Sequence, residues 1–258
     1  HLAWAESSAV VYANSVLKSW TNREGAPSAL AAALIGKTPD CGVHIAENRQ
    51  PGIVVKVEAN PRNEAEFGAL GIYVGKMLKD EIPAFEGLTN YTDDDLKQLG
   101  AGLASSGITS VFYYQKPTAQ SKVETISIER KDMRNAAENL STAKEPPDIV
   151  FIGCPHCSLK EIETVAQALE VKRVKSETEL WVCTSRHVKN LTKNYVDIIE
   201  RAGGHVLCDT CAVVTWIKNL GFDTLMTNSA KTAYYAPSLN GVDAILAPLK
   251  RCVDVACS

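Results

Sequence analysis

DIVFIGCPHCS, residues 148–158, decides the fold. Its apolar run shows no polar alternation, as a strand does when both its faces are covered. A glycine stops the run, and Cys154, Pro155, His156 and Cys157 follow at once. The same pattern recurs downstream. ELWVCT (179–184), HVLCDT (205–210), DTLMT (223–227) and DAILAP (243–248) read as apolar strands. LKEIETVAQAL (159–169), KNYVDIIERAGG (193–204) and the segment after Cys211 read as helical stretches between them. Strand and helix in alternation predict an α/β fold with three-layer αβα lobes and mostly parallel sheets.

Upstream the reading is less regular. LAWAESSAVVYANSVLKSW (2–20) is expected as one helix, with Leu2, Ala5, Ala9, Ala13 and Val16 on one stripe. TNREGAPS (21–28) is a polar turn, after which Ser28 would cap a helix over ALAAALIG (29–36) that Gly36 stops. IVVKVEA (53–59) alternates as a strand. Residues 64–80 have helical spacing, with Gly68, Gly71 and Gly75 allowing close backbone approach. TDDDLKQLGAGLASSG (92–107) carries an N-cap threonine, acids in its first turn and a glycine stop. A strand over ITSVFYYQ (108–115) and a helix over KDMRNAAENLST (131–142) complete this half. AKEPPD (143–148) is the linker candidate, so the chain is expected to divide into 1–145 and 146–258, two lobes meeting at a cleft.

Composition narrows the function. The chain has 258 residues, 45% hydrophobic and 22% charged, with a net charge of -3. That charge provides no basic footprint for nucleic acid, and no apolar run approaches the ~18–20 residues of a membrane span. Eight cysteines without a preceding signal peptide predict a cytoplasmic protein whose thiols serve metal or redox chemistry. The chain begins at His1 and runs straight into a helix-like pattern, so it is expected to be a piece of a longer protein.

In a parallel sheet, ligands sit beyond the carboxyl ends of the strands. The residues there are Cys154 with His156 and Cys157, Ser185 with Arg186 and His187, Cys208 to Cys211, and Asn228, Ser229 and Lys231. The two Cys-x-x-Cys pairs admit four readings: a tetrahedral zinc site, an iron–sulfur cluster, a thioredoxin-like dithiol, or incidental thiols. Cys183 lies within a strand and reads as core, and Cys41, Cys252 and Cys257 read as structural. Asn228, Ser229 and Lys231 could hold an anionic group, or Asn228 or Ser229 could simply cap the next helix. Arg186 could bind a carboxylate or phosphate bidentately, or decorate a helix start. His187 and His205 read as structural. Glu6, Ser7, Ser8 and Asn14 are polar intrusions on a small-residue helix, and Asn22, Arg23 and Glu24 crowd one turn.

At these residues the sequence becomes recognisable. HLAWAESSAVVYANSVL, TNREGAPSALAAALIGKTP, FIGCPH, CDTC and TNSAKTAYY, in that order, resemble aconitase X, as its catalytic large subunit or the large domain of its fused form. The resemblance implies a dehydratase of the aconitase superfamily, in which an iron–sulfur cluster acts as Lewis acid on a substrate hydroxyl. Cys154 and Cys211 match two of the three cluster cysteines, with Cys208 as an alternative to the second, and the third is expected upstream of this sequence. Family members often carry alanine at the position of Cys157, which argues against a four-cysteine zinc site. The base is expected to be a serine on a swivelling domain, either a small subunit or a fused segment. Ser229 is a local candidate only if that analogy fails.

The resemblance further implies a small anionic substrate. Ser7, Ser8, Asn22, Arg23, Arg186, Asn228, Ser229 and Lys231 are the candidate contacts, more donors than one carboxylate requires. Together with the TNREG form of the first turn, they favour mevalonate 5-phosphate, dehydrated to trans-anhydromevalonate 5-phosphate, over a 3-hydroxyproline. Such an enzyme is expected to be inactive without the upstream segment and the swivelling domain. A non-catalytic zinc-binding or scaffold protein of the same fold is the alternative from another class.

Overall fold

The computed structural model describes residues 1–78, 80–115, 123–143 and 146–257. The chain folds as two compact units, residues 1–62 with 66–136, and residues 63–65 with 137–258. Lys144 and Glu145 of the expected linker lie outside the described residues.

The elements near the first unit are α1 (Ser7–Ser15), α2 (Ala26–Ile35), β1 (Ile53–Val57), α3 (Glu64–Met77), β2 (Pro83–Glu86), α4 (Asp93–Ser106), β3 (Glu124–Ile128) and α5 (Arg130–Glu138). Its three strands run parallel in the order β2-β1-β3. Val55, Phe67, Leu70, Phe85, Leu99, Phe112 and Met133 fill its core. α4 starts at a complete capping box, with Thr92 and Asp95 each bonding the other's backbone amide. The glycines of α3 and α4 allow the two helices to touch backbone to backbone: a Cβ on Gly71 would lie 2.3 Å from the carbonyl oxygen of Leu99.

Four expectations here need correction. The first helix covers 7–15 rather than 2–20. Residues before it are held extended, because the Trp4 amide donates to Thr21 Oγ1 at 3.1 Å and Glu24 N–H to the Trp4 carbonyl at 3.1 Å. The helix ends where both Val16 and Leu17 donate to the Tyr12 carbonyl and Lys18 turns to φ 57. α2 is capped by Gly25, with proline in its first turn, and not by Ser28, whose hydroxyl bonds Glu24 instead; Gly36 stops it in the left-handed region, as expected. ITSVFYYQ is not a strand, since the Phe112 amide is taken by Ser15 Oγ at 2.9 Å and only Tyr113 bridges to β2. The third strand is instead β3, which the sequence reading missed.

The second unit holds β4 (Ile149–Cys157), α6 (Leu159–Leu169), β5 (Glu179–Thr184), α7 (Arg186–Leu191), α8 (Lys193–Arg201), β6 (His205–Cys208), β7 (Thr224–Thr227), α9 (Ala230–Tyr235), β8 (Asp243–Leu246) and α10 (Leu249–Ala256). The sheet is parallel throughout, in the order β6-β5-β4-β7-β8. Ile149, Val150, Phe151 and Ile152 are all fully buried, so both faces of β4 are covered. Val150, Ile152, Leu180, Val182, Val206 and Met226 pack with Ile162 and Val165 of α6, Val196 and Ile199 of α8, and Val253 of α10. The helix expected after Cys211 is a turn closed onto the Cys211 carbonyl, followed by a short 3-10 segment at Ile217–Leu220.

The strand order positions the site. The chain leaves β4 toward β5 and β6, then returns to the other side of β4 for β7 and β8. The loops after β4 and β7 therefore diverge at the switch point, where open α/β sheets bind their ligands.

One substitution separates packing from propensity in the first unit. Helix propensity favours alanine over glycine by ~1 kcal/mol, whereas overpacking costs about 1–3 kcal/mol. With the Leu99 carbonyl 2.3 Å from the new Cβ, Gly71→Ala is expected to lower the melting temperature. A rise in the melting temperature would show that α3 and α4 do not touch there.

Candidate functional site

The site forms where β4 ends. Gly153 takes φ 110, and a Cβ there would lie 2.2 Å from the Cys183 carbonyl on β5, so only glycine fits. Cys154 follows, and its peptide bond to Pro155 is cis. Three side chains tie this turn to its neighbours. Ser229 Oγ donates to the Cys154 carbonyl. Thr184 Oγ1 donates to the Cys157 carbonyl at 2.7 Å. His156 Nε2 meets the Thr210 carbonyl at 2.7 Å, linking the turn to the loop after β6.

That loop brings Cys211 to Cys154. Asp209 turns it in the left-handed region, at φ 55. The Cys154 thiol is pushed well above its ordinary range by its hydrogen bond to Cys211 and by complete burial. Cys211 moves the other way, to about 6, mainly through that same bond. The backbone amides of Val213 and Val214 and the charge of Lys231 also favour its thiolate, against the cost of burial. The pair therefore behaves as one buried thiol donating to one thiolate.

The other cysteines are placed differently. Cys157 is buried in the apolar cluster with Ile162 and Val165. Cys183 is core, and burial pushes its thiol up to about 12. Cys208 ends β6 half-buried, opposite Thr184. Cys252 and Cys257 are buried, whereas Cys41 is exposed. Among the described residues, no three His, Cys, Asp or Glu side chains are grouped to hold a metal ion.

Of the expected substrate contacts, Asn228, Ser229 and Lys231 stand at this edge. Asn228 is buried, and neither its Oδ1 nor its Nδ2 finds a hydrogen-bond partner. Leaving such an amide unpaired costs about 1–3 kcal/mol per group, so the position calls for a partner. Ser229 caps α9 by accepting from Thr232 N–H at 3.1 Å. Its hydroxyl is thus committed on both sides. Arg186 is on the surface, its guanidinium paired with Asp209 at 2.6 Å; bonds from the Arg186 backbone and side chain hold that carboxyl below its usual range. His187 is exposed, and His205 pairs with Glu179 at 3.2 Å.

The candidates in the first unit have local partners. Arg23 donates to the Gly107 carbonyl at 2.9 Å, the Ala104 carbonyl at 3.2 Å and Ser7 Oγ at 3.0 Å, closing the end of α4. Asn22 accepts from Val43 N–H at 2.9 Å and donates to the Cys41 carbonyl. Ser8 is buried in α1. The residues that sequence reasoning missed are Thr184, Thr227 and Thr232, all buried at this sheet edge. A threonine at or just past successive strand ends was the available signal.

Comparison with known proteins agrees with this geometry. Residues 1–47 match the Aconitase X first domain, 51–138 the second domain and 147–258 the third. The chain is 46% identical to a phosphomevalonate dehydratase large subunit of Methanocaldococcus jannaschii, over 92% of this chain and 63% of that protein. It is 32% identical to a cis-3-hydroxy-L-proline dehydratase of Pseudomonas aeruginosa, over 99% of this chain and 47% of that one. A crystal structure of Thermococcus kodakaraensis aconitase X in its holo-form superposes with a TM-score of 0.92 at 38% identity, covering 99% of this chain and 68% of that one. The chain thus spans 63% of the length of the phosphomevalonate dehydratase relative from M. jannaschii.

The thiol pair sets a pH dependence that can be measured. Only the thiolate is alkylated, and Cys211 is held near pKa 6 while Cys154 is raised. In metal-free protein, iodoacetamide is expected to modify Cys211 with a midpoint near pH 6, well below the ordinary ~8.5, and to leave Cys154 unmodified at neutral pH. Mass spectrometry of digests would check this. Equal labelling of both cysteines only above pH 8 would contradict it.

Proposed function

The chain belongs to the aconitase X family, and on that premise we propose that it forms the catalytic core of a phosphomevalonate dehydratase large subunit. In this reading the enzyme is a hydro-lyase that removes water from mevalonate 5-phosphate to give trans-anhydromevalonate 5-phosphate. The observation that carries it is the meeting of Cys154 and Cys211, from separate loops, at the switch point of a parallel sheet. Two adjoining sulfurs, one already favoured as thiolate, suit an iron–sulfur cluster, whose third cysteine would come from the upstream part of the longer protein. A zinc site of four cysteines fits poorly, because Cys157 packs in the apolar core.

When bound, the cluster would supply a Lewis acid that weakens the bond to the leaving hydroxyl. The chain's own residues would do the rest of the binding. Lys231 places positive charge close enough to act on both Cys154 and Cys211, where it would attract an anionic substrate. The unpaired amide of Asn228 would accept from and donate to polar groups of that ligand. Arg23, Asn22 and Ser7 would hold the first unit in shape rather than touch substrate, given their bonds to backbone and to each other.

Elimination also needs a base to take the carbon-bound proton. Ser229 is unsuited, because its hydroxyl already donates to Cys154 and accepts from Thr232. The base is therefore assigned to a small swivelling subunit, consistent with the large-subunit naming of the relatives. Eight cysteines without a disulfide suit a reducing compartment, so the enzyme is placed in the cytoplasm. Among the described residues, no helix is long and apolar enough to cross a membrane.

Dehydration of 3-hydroxyproline is the second reading, supported by the more distant 32% relative. Anaerobic reconstitution of the complete protein with its small subunit tests both. Visible iron–sulfur absorption and turnover of mevalonate 5-phosphate are expected. Cys154→Ser and Cys211→Ser should reduce both to background, while Cys157→Ser should keep the absorption. Turnover of cis- or trans-3-hydroxyproline with none of the phosphate ester would replace the substrate and keep the reaction class. Stoichiometric zinc with no turnover would favour the non-catalytic reading.

A further inference from the structure

Threonines inside helices commonly donate their hydroxyl to the carbonyl four residues back. Thr164, Thr192 and Thr215 each do so here, to Lys160, Val188 and Cys211, at 2.8 Å. Thr232, in α9, does not. Its side chain is 1% exposed, and its Oγ1 has no hydrogen-bond partner. A hydroxyl removed from water without a partner costs about 1–3 kcal/mol, so an acceptor is expected at that position.

Two links fix where Thr232 lies. Its amide donates to Ser229 Oγ at 3.1 Å, and Ser229 Oγ donates to the Cys154 carbonyl. The side chain is thereby held beside Cys154, and its hydroxyl favours the ionised form of that sulfur. A neutral thiol is a weak acceptor, which accounts for the bond being unmade in the thiol state. A thiolate is a strong one.

We propose that Thr232 is a positioning residue for the cluster, donating its hydroxyl hydrogen to Cys154 Sγ once that sulfur ligates iron. This rests on the cluster reading above. The consequence is electrostatic. Hydrogen bonds to cluster sulfur spread its negative charge, stabilise the more reduced state and hold the ligand in place. Thr232 touches neither substrate nor reacting atoms in this account; it acts through Cys154.

The test uses the anaerobically reconstituted holoenzyme with its small subunit. Thr232→Val keeps shape and removes the hydroxyl, and Thr232→Ser keeps the hydroxyl. Thr232→Ala also removes it without adding bulk, and serves if the valine variant is misfolded by circular dichroism. The cluster midpoint potential, followed by electron paramagnetic resonance, should shift negative in Thr232→Val. Loss of visible absorption to a chelator should be about 10-fold faster. Thr232→Ser should restore both. A cluster whose potential and stability are unchanged in the valine and alanine variants would overturn this inference alone. So would Thr232→Ser behaving as Thr232→Val, which would assign the effect to methyl packing. A wild-type protein that takes up no iron would overturn this inference and the cluster reading together.

Discussion

At Gly153 the backbone of β4 runs so close to the Cys183 carbonyl that a Cβ would lie 2.2 Å away. That approach follows from parallel pairing on both sides of β4, which holds Ile149 to Ile152 between β5 and β7. Beyond it the pairing shifts register between Ile152 and Cys157, and the freed backbone can turn into a binding loop. Everything at the sheet edge inherits its position from this turn. Ser229 reaches the Cys154 carbonyl and Thr184 the Cys157 carbonyl only because the loop leaves the sheet there.

The thiol pair shows how burial and contact compete. Burial disfavours a charged sulfur in both cysteines. For Cys154 nothing outweighs it, and donation to Cys211 adds to the same direction. For Cys211 the donated hydrogen bond, two backbone amides and Lys231 together overcome it. The asymmetry lies in which sulfur is surrounded by donors, not in the depth of either loop alone.

The second unit was legible in the sequence because its strands are continuous apolar runs. β5 and α6 fall on the residues that the pattern marks, and Cys154 and Cys211 come together as the resemblance implies. The first unit was less legible where side chains take over backbone bonds. Ser15 removes the Phe112 amide from any ladder, and Thr21 takes the Trp4 amide. Neither event leaves a periodic signature. β3, with its partly exposed faces, lacks the apolar run that identified the others. Arg23 was singled out for its charge, yet the carbonyls at the end of α4 engage it, a three-dimensional neighbourhood that turn composition does not encode.

The ties around Cys154 also bear on the order of events during maturation. Ser229, His156 and Thr184 fix the two cysteine loops through bonds made entirely within the polypeptide. Small zinc domains, by contrast, owe their fold to the ion that they bind. Here the scaffold would be complete before any iron arrives, so cofactor loading becomes a late step on a finished protein. A bound cofactor would then stabilise the fold only through mass action, in proportion to the logarithm of its occupancy. Iron starvation would leave an intact but empty protein, ready to be loaded again.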